Sequence, residues 1–389
     1  MVAALVVVLP AVASCGSGED VTSGQEDAAE AESLVDLEVS SADTAVLASL
    51  DDVGAIAIDT AASAQAGRQV VATWVADDER TQAADTDRPP LVYPSAWSAG
   101  TDVYVFGAEC PEVDLELVSD IDFYSSDQVC GVATMRRVVR HLDTTTSTWR
   151  EVAEAPAAED GKAFLLGGTG DQALVRTAAG SVSTIDLGSG EVASLADVVL
   201  RDANLGRACA VDDGSFLVVA TTAPPPGTPG RAVPEQPLSA WSVRDGGSQP
   251  LALPEGLDQD TFGPVECLPG RGVLGPVQEG VVEVLAVDDS GVLQRQELPL
   301  PDGAADVPGL RLQSSPPQLV LWVPEGEGLV PWSLTGDGPW SAAGETYPLL
   351  DPPAHPVVVD EHLLALATSY GEPATEDGPP TAVTRVVSS

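Results

Sequence analysis

Five cysteines, three histidines and a crowd of carboxylates are the residues of this chain whose chemistry is worth testing first. His141, His355 and His362 do not fall in HExxH or any other metal-ligand spacing. No GxSxG elbow and no Walker loop occurs, and Gly167-Gly168-Thr169-Gly170 lacks the full dinucleotide pattern. The sequence therefore gives no catalytic residue, no metal ligand set and no cofactor. Asp114, Glu116, Asp120 and Asp122 crowd one stretch and have the oxygen ligands calcium takes, but the Gly and terminal Glu of a calcium loop are missing. A solvated acidic loop is the expected reading. Seven tryptophans, Trp74, Trp97, Trp149, Trp241, Trp322, Trp332 and Trp340, stand beside short apolar runs. Packing between strands explains them better than stacking on sugar rings.

The cysteines divide. Cys110, Cys130, Cys209 and Cys267 are an even set without CxxC spacing, which suits two disulfides in an oxidising compartment. Three connectivities exist, and the local one pairs Cys110 with Cys130 and Cys209 with Cys267. The loop-entropy model gives each bridge about 3–4 kcal/mol. Cys15 has a different setting. Val2 to Ala13 is an apolar run broken by Pro10. It is shorter than the ~20 residues that span a bilayer and matches the h-region of a secretory signal. It ends Val12-Ala13-Ser14-Cys15-Gly16. This resembles the lipobox of bacterial lipoproteins, where an aliphatic residue and two small ones precede the lipidated cysteine. The resemblance implies that residues 1–14 are a signal peptide and that Cys15 is diacylated and becomes the mature N-terminus. Two acyl chains make a stable anchor, because each buried CH₂ contributes about 0.8 kcal/mol. The implied location is the extracytoplasmic face of a cell membrane.

Residues 15–36 read as a flexible acidic tether. Gly16 to Ser33 is mostly Gly, Ser, Ala, Glu and Asp, too polar to bury a core. About 20 such residues span roughly 25 Å. The charge reinforces the picture of an exported protein. Sixty Asp and Glu stand against 17 Lys and Arg, a formal net charge of −43, and Lys162 is the single lysine. Such a surface repels phosphate backbones, so nucleic acid is excluded as a partner.

The elements that must carry these residues are short strands. From about residue 40 no amphipathic helix is evident, and Val/Leu/Ala-rich runs alternate with Gly, Asp and Pro. Similar units recur. Asp102 to Gly107 is a strand, and Val138 to Val152 is a hairpin turning at Asp143. Lys162 to Gly168 and Val182 to Val192, turning at Asp186, repeat the theme. Further turns are expected at Asp245, Asp288 and Asp337, where Asp caps the backbone and Gly supplies positive φ. Residues 162–168, with Gly167-Gly168, and residues 138–152, with Asp143 and Trp149, are similar to the two halves of a kelch repeat. The resemblance implies an all-β propeller over residues 40–389.

Units of about 40–50 residues give about seven four-stranded blades, with six or eight as alternatives. Their expected spans are 40–80, 90–156, 160–200, 204–256, 260–302, 308–350 and 354–389. A strand near Ala382–Val387 would pair with an N-terminal strand to close the ring. A pair of β-sandwiches is the alternative fold. Two Pro-rich stretches, Pro224–Pro237 and Gly371–Pro380, read as insertions. The expected function is a membrane-anchored binding or protein-interaction propeller. Its partner is an unidentified protein, wall polymer or small ligand. The alternative is a carbohydrate-active hydrolase or lyase in the propeller funnel, and a calcium-dependent adhesive module is a third reading.

Overall fold

In the computed structural model the chain forms seven antiparallel sheets of four strands each. The structure describes residues 34–388 apart from 51–53, 77–78, 119–123, 157–161, 201–205, 212–213, 222–237, 258–264, 279, 289, 316, 337, 348–353, 360–361 and 371–381. A short first strand, β1 (Glu38–Val39), is set aside by the chain for later use. The first blade then runs β2 (Ala45–Leu50), β3 (Gly54–Ala64), β4 (Gly67–Ala76) and β5 (Glu79–Asp85). The second is β6 (Leu91–Ala99), β7 (Asp102–Glu109), β8 (Arg137–Asp143) and β9 (Thr148–Glu154). The third is β10 (Ala163–Gly168), β11 (Gln172–Thr177), β12 (Ser181–Asp186) and β13 (Val192–Val199). The fourth is β14 (Gly206–Val211), β15 (Ser215–Thr221), β16 (Leu238–Arg244) and β17 (Gly247–Leu251). The fifth is β18 (Glu266–Leu268), β19 (Gly272–Gln278), β20 (Val281–Val287) and β21 (Leu293–Pro299). The sixth is β22 (Arg311–Ser315), β23 (Gln318–Glu325), β24 (Gly328–Thr335) and β25 (Ser341–Ala342). The seventh holds β26 (Ala354–Val359), β27 (His362–Tyr370) and β28 (Ala382–Ser388), and β1 completes it.

The ring closes through that last blade. Glu38 pairs with Arg385 and Val39 with Thr384, so the N-terminal strand becomes the outer strand of the C-terminal sheet. Leu34, assigned by composition to the tether, is buried with Val39 and Val386 in the core between blades seven and one. Asp36 N–H also donates to the Val386 carbonyl. The tether boundary at residue 36 is corrected accordingly: Leu34, Val35 and Leu37 are an apolar cluster that an averaged composition hides. The first blade likewise runs past residue 80, to Asp85.

The core lies between blades rather than within one. Val46, Ile56, Ile58 and Trp74 of blade one meet Leu91, Val105 and Leu142 of blade two. Equivalent clusters join every successive pair around the ring. Sheets covered on both faces explain the continuous apolar runs, as in Leu217-Val218-Val219. Each buried Val or Leu contributes about 1.5–3 kcal/mol. All seven tryptophans pack in these seams. Three donate their indole N–H to a neighbouring blade: Trp149 to the Ala83 carbonyl at 3.1 Å, Trp97 to Thr169 at 2.9 Å and Trp340 to Pro299 at 2.8 Å. Gly168 is required here, because a Cβ would stand 2.2 Å from the Trp97 ring.

The Asp turns form as the residue types dictate. Asp143 Oδ1 accepts from the N–H groups of Thr145 and Thr146, at 2.9 and 3.2 Å. Asp186 accepts from Ser189, and Asp288 from Ser290 and Val292. Asp245 and Gly246, at φ 50° and 72°, make a two-residue hairpin turn. Asp337 lies outside the described residues.

Antiparallel order fixes what each face carries. Connections from the fourth strand of one blade to the first of the next share a face with those between second and third strands. That face receives the long joins: 110–136, 252–265 and 300–310. The stretches 224–237 and 371–380, read from sequence as insertions, lie outside the described residues. The opposite face receives short turns.

Candidate functional site

The first strands of the blades line the axis, since β2, β6, β10, β14, β18, β22 and β26 are the strands that join neighbouring blades at the centre. Three of them begin, at the long-loop end, with charge. Arg207 is the second residue of β14, Glu266 opens β18, and Arg311 opens β22. All three line one cavity of about 690 Å³, with Asp306 on its rim and walls from Val265, Val277, Val307, Leu310 and Leu312. This is the size of small-ligand and peptide pockets.

Local structure holds the site open. A bulge in β19 between Leu274 and Val277 takes Gly275 and Pro276 out of the ladder and into the cavity wall. Bulges re-aim strands beside functional sites. The disulfide-distance pair Cys209–Cys267, with Cα atoms 5.4 Å apart, ties β14 to β18. Cys209 follows Arg207 by two residues and Cys267 follows Glu266 directly, so the bridge fixes the two charged residues relative to each other. Arg207 Nε donates to the Val265 carbonyl at 2.8 Å across the same seam. Glu266 accepts the Cys267 N–H at 3.0 Å. Burial pushes its carboxyl above the usual range, against the opposing pull of that bond, of Arg207 and of the Ser314 backbone.

Apolar groups gather on the same face. Tyr124 in the 110–136 join, Phe164 at the start of β10, Val199 at the end of β13 and Val265 before β18 are all exposed. Phe164 lies under the Arg176 guanidinium, 4.8 Å from the ring centre. The other exposed large apolar residues among those described, Val192 and Val292, sit singly at the opposite face.

The residues singled out from sequence are distributed differently. Cys15 lies outside the described residues. Cys110 and Cys130, with Cα atoms 4.5 Å apart, are the second disulfide-distance pair. They close the 110–136 join over a small core of Val92, Val118, Val129 and Met135, with a five-residue helix α1 (Ser126–Cys130). Asp114 turns inward on its own loop, accepting the Glu116 N–H at 3.0 Å, while Asp120 and Asp122 are outside the described residues. Among the described residues no group of three His, Cys, Asp or Glu could hold a metal ion. His141 is fully engaged: Nε2 meets Asp102 and Nδ1 accepts from Arg150 Nε at 3.0 Å, with Tyr104 tilted against its ring. With both nitrogens held, it is a packing residue of blade two rather than a base. His355 and His362 are in blade seven, away from it. Sequence reasoning missed Arg207, Glu266 and Arg311. The one available signal was a charged residue at or beside the start of a short strand.

The geometry defines a class, the seven-bladed β-propeller with its two ends joined in one blade. No family model matches the chain, and no curated protein matches it in sequence. Solved structures do. The chain is similar to the β-propeller domain of the Trilobed protease from Pyrococcus furiosus, at 10% identity over 90% of this chain and 92% of that one, with TM-score 0.40. It is similar to a protein from Lactobacillus plantarum at 12% identity, covering 90% and 100%, with TM-score 0.43. It is also similar to the polysaccharide lyase Uly1 at 10% identity, covering 76% and 75%, with TM-score 0.40. Likeness at this level assigns the chain no role. Among the described residues no helix is long and apolar enough to cross a membrane.

Proposed function

We propose that this protein is an extracytoplasmic binding propeller, held to a membrane by lipid on Cys15, that takes its partner on the long-loop face at the mouth of the channel. The observation that carries the reading is the coincidence on one face of the Arg207–Glu266–Arg311 cavity with four exposed apolar side chains. In a chain of net charge −43, a patch that combines guanidinium groups with Phe and Val suits a partner that is apolar and anionic at its point of contact. The lipobox-like Val12-Ala13-Ser14-Cys15 supports the anchor.

Site-specific photo-cross-linking in intact cells tests the face. A photoreactive residue at Phe164 should give discrete protein adducts, and one at Val192 on the opposite face should not. Equal adducts from both positions would sink the reading. For the anchor, Cys15→Ser should move the protein from the membrane fraction to the soluble one. Retention at the membrane would sink the lipid attachment.

A second reading, a hydrolase or lyase acting on carbohydrate, draws on the Glu266 carboxyl. Its raised pKa suits a general acid. The backbone N–H groups of Cys267 and Ser314 that hold it favour the binding role, because they fix the carboxylate along the blade seam. Turnover of acidic or neutral polysaccharides that disappears in Glu266→Gln would reverse that preference.

A further inference from the structure

The third strand of blade two begins among arginines, and strand alternation sorts them onto two faces. Arg136, just before β8, and Arg140 within it lie towards blade one. Glu109, Glu151, Glu154 and Asp85 receive them there. Arg137, the first residue of β8, shares the other face with Val139 and His141. Val139 and its cross-strand partner Phe106 pack in the core joined to blade three. Arg137 is thus turned into the seam between blades two and three, at its long-loop end, away from every carboxylate its neighbours use.

Arg137 is only 7% exposed, and its surroundings supply no counter-charge. Its neighbours across the sheet are Ala108 and then Val92, both fully buried. Among the described residues its Nε–H has no hydrogen-bond partner and no carboxylate pairs with it. Burial pushes its pKa down, with the Tyr93 phenol opposing. Tyr93 stands at φ 52° in the β6 bulge between Val92 and Ser95, its hydroxyl donating to the Val118 carbonyl. Backbone strain of this kind collects at binding sites. A guanidinium keeps its proton in a protein, so burial without a partner is costly. Arg140, three residues on, shows the satisfied alternative, with acceptors from Asp85, Glu109 and Pro89. A buried polar group that the fold leaves unpartnered marks a place where something else bonds to it.

We propose that Arg137 is the floor of a slot on the long-loop face, between blades two and three, that takes one carboxylate. The guanidinium fork matches the two oxygens of a carboxylate. One cation in an apolar seam is balanced by a monoanion, whereas a phosphate dianion would leave a charge buried without a partner. The carboxylate can belong to a free small acid or to the end of a peptide chain, and its chemistry at Arg137 is the same. The slot shares a face with the partner-docking patch, but it is tested without a partner and stands or falls independently of that reading.

The Nε–H nuclear magnetic resonance signal of Arg137 in the full chain, assigned by its absence from R137M and R137K, reads the site directly. At constant ionic strength held with chloride, acetate and N-acetylalanine should move it saturably. N-acetylalaninamide should leave it in place, and phosphate should act several-fold more weakly than acetate. Tighter binding of N-acetylalanine than of acetate names a chain end as the source, and the reverse order names a free acid. Melting temperature gives a second reading. Acetate should raise it more in the parent than in R137M, with R137K between. R385Q, which removes an exposed arginine paired with Glu38, should respond as the parent does. Without acetate, R137M should melt level with the parent or a few degrees above it, because an unpaired buried charge is gone. An Arg137 signal that acetate leaves unmoved, phosphate binding as tightly as acetate, or R137M melting well below the parent would overturn the proposal.

Discussion

Two clusters of arginine and carboxylate sit in blade seams, and they have been built to opposite ends. Between blades one and two, Arg140 is fully buried. Its guanidinium reaches Asp85 at 3.2 Å, Glu109 at 3.1 Å and the Pro89 carbonyl at 2.7 Å. Arg88 and Arg136 close the flanks, Arg88 on Asp85 and Arg136 on Glu109, Glu151 and Glu154. Every carboxylate in this cluster faces a cation. Across blades four to six, Arg207, Glu266 and Arg311 instead open on a cavity with apolar walls. A sealed network holds the fold in register, whereas charges that line a cavity stand where a ligand would enter. The same residue types thus divide by burial into a structural seam and a binding mouth.

Substitutions at the two clusters separate these roles. The largest effect is expected at the sealed one. Arg140→Met takes the one fully buried cation from Asp85 and Glu109, leaving each with a single flanking arginine, and should lower unfolding stability by about 3 kcal/mol, read from denaturant melts. Arg207→Met at the mouth should cost under about 1 kcal/mol, as for a partly exposed charge. Equal losses would erase the distinction. Next comes the bridge that positions the mouth. Replacing Cys209 and Cys267 by Ala should cost about 2–4 kcal/mol.

Smaller effects follow with pH. Glu266 holds its proton more tightly when folded, because burial raises its pKa. The native state then binds more protons than the unfolded one above the ordinary carboxylate range. Stability contributed by this group therefore falls as pH rises through that range towards the raised value. Glu266→Gln should flatten that slope in urea melts taken between pH 4 and pH 7. Asp288 behaves oppositely. Its turn, led by the Ser290 hydroxyl, lowers its pKa from 3.8 to about 2. The stabilisation is complete above the unfolded value and lost as pH falls to about 2. Asp288→Asn should therefore lower the melting temperature slightly at neutral pH and have no effect once the parent is protonated.

The blade architecture was legible because it is local. Asp143, Asp186 and Asp288 cap turns with their own side chains, and alternation with Gly marks each hairpin without reference to anything distant. The ring closure near Ala382–Val387 is a long-range pairing, visible for a different reason: a lone C-terminal strand needs a partner. Cys110–Cys130 and Cys209–Cys267 follow the nearest-neighbour order along the chain. The cavity on the long-loop face was not legible. Arg207, Glu266 and Arg311 are a blade apart in sequence, and periodicity assigns a residue to a strand without saying which end of which strand meets the axis. The role of Leu34 was hidden differently, by polar neighbours that dominate the composition around it.

The central claim is that the long-loop face, with its arginines, receives the partner. The most direct measurement compares adduct yield from a photoreactive residue at Phe164 in the parent and in an Arg207→Gln/Arg311→Gln background, in cells, with Val192 as reference. The account predicts a several-fold fall in the Phe164 adduct while the Val192 position stays at background. An undiminished Phe164 adduct in the double variant would contradict it.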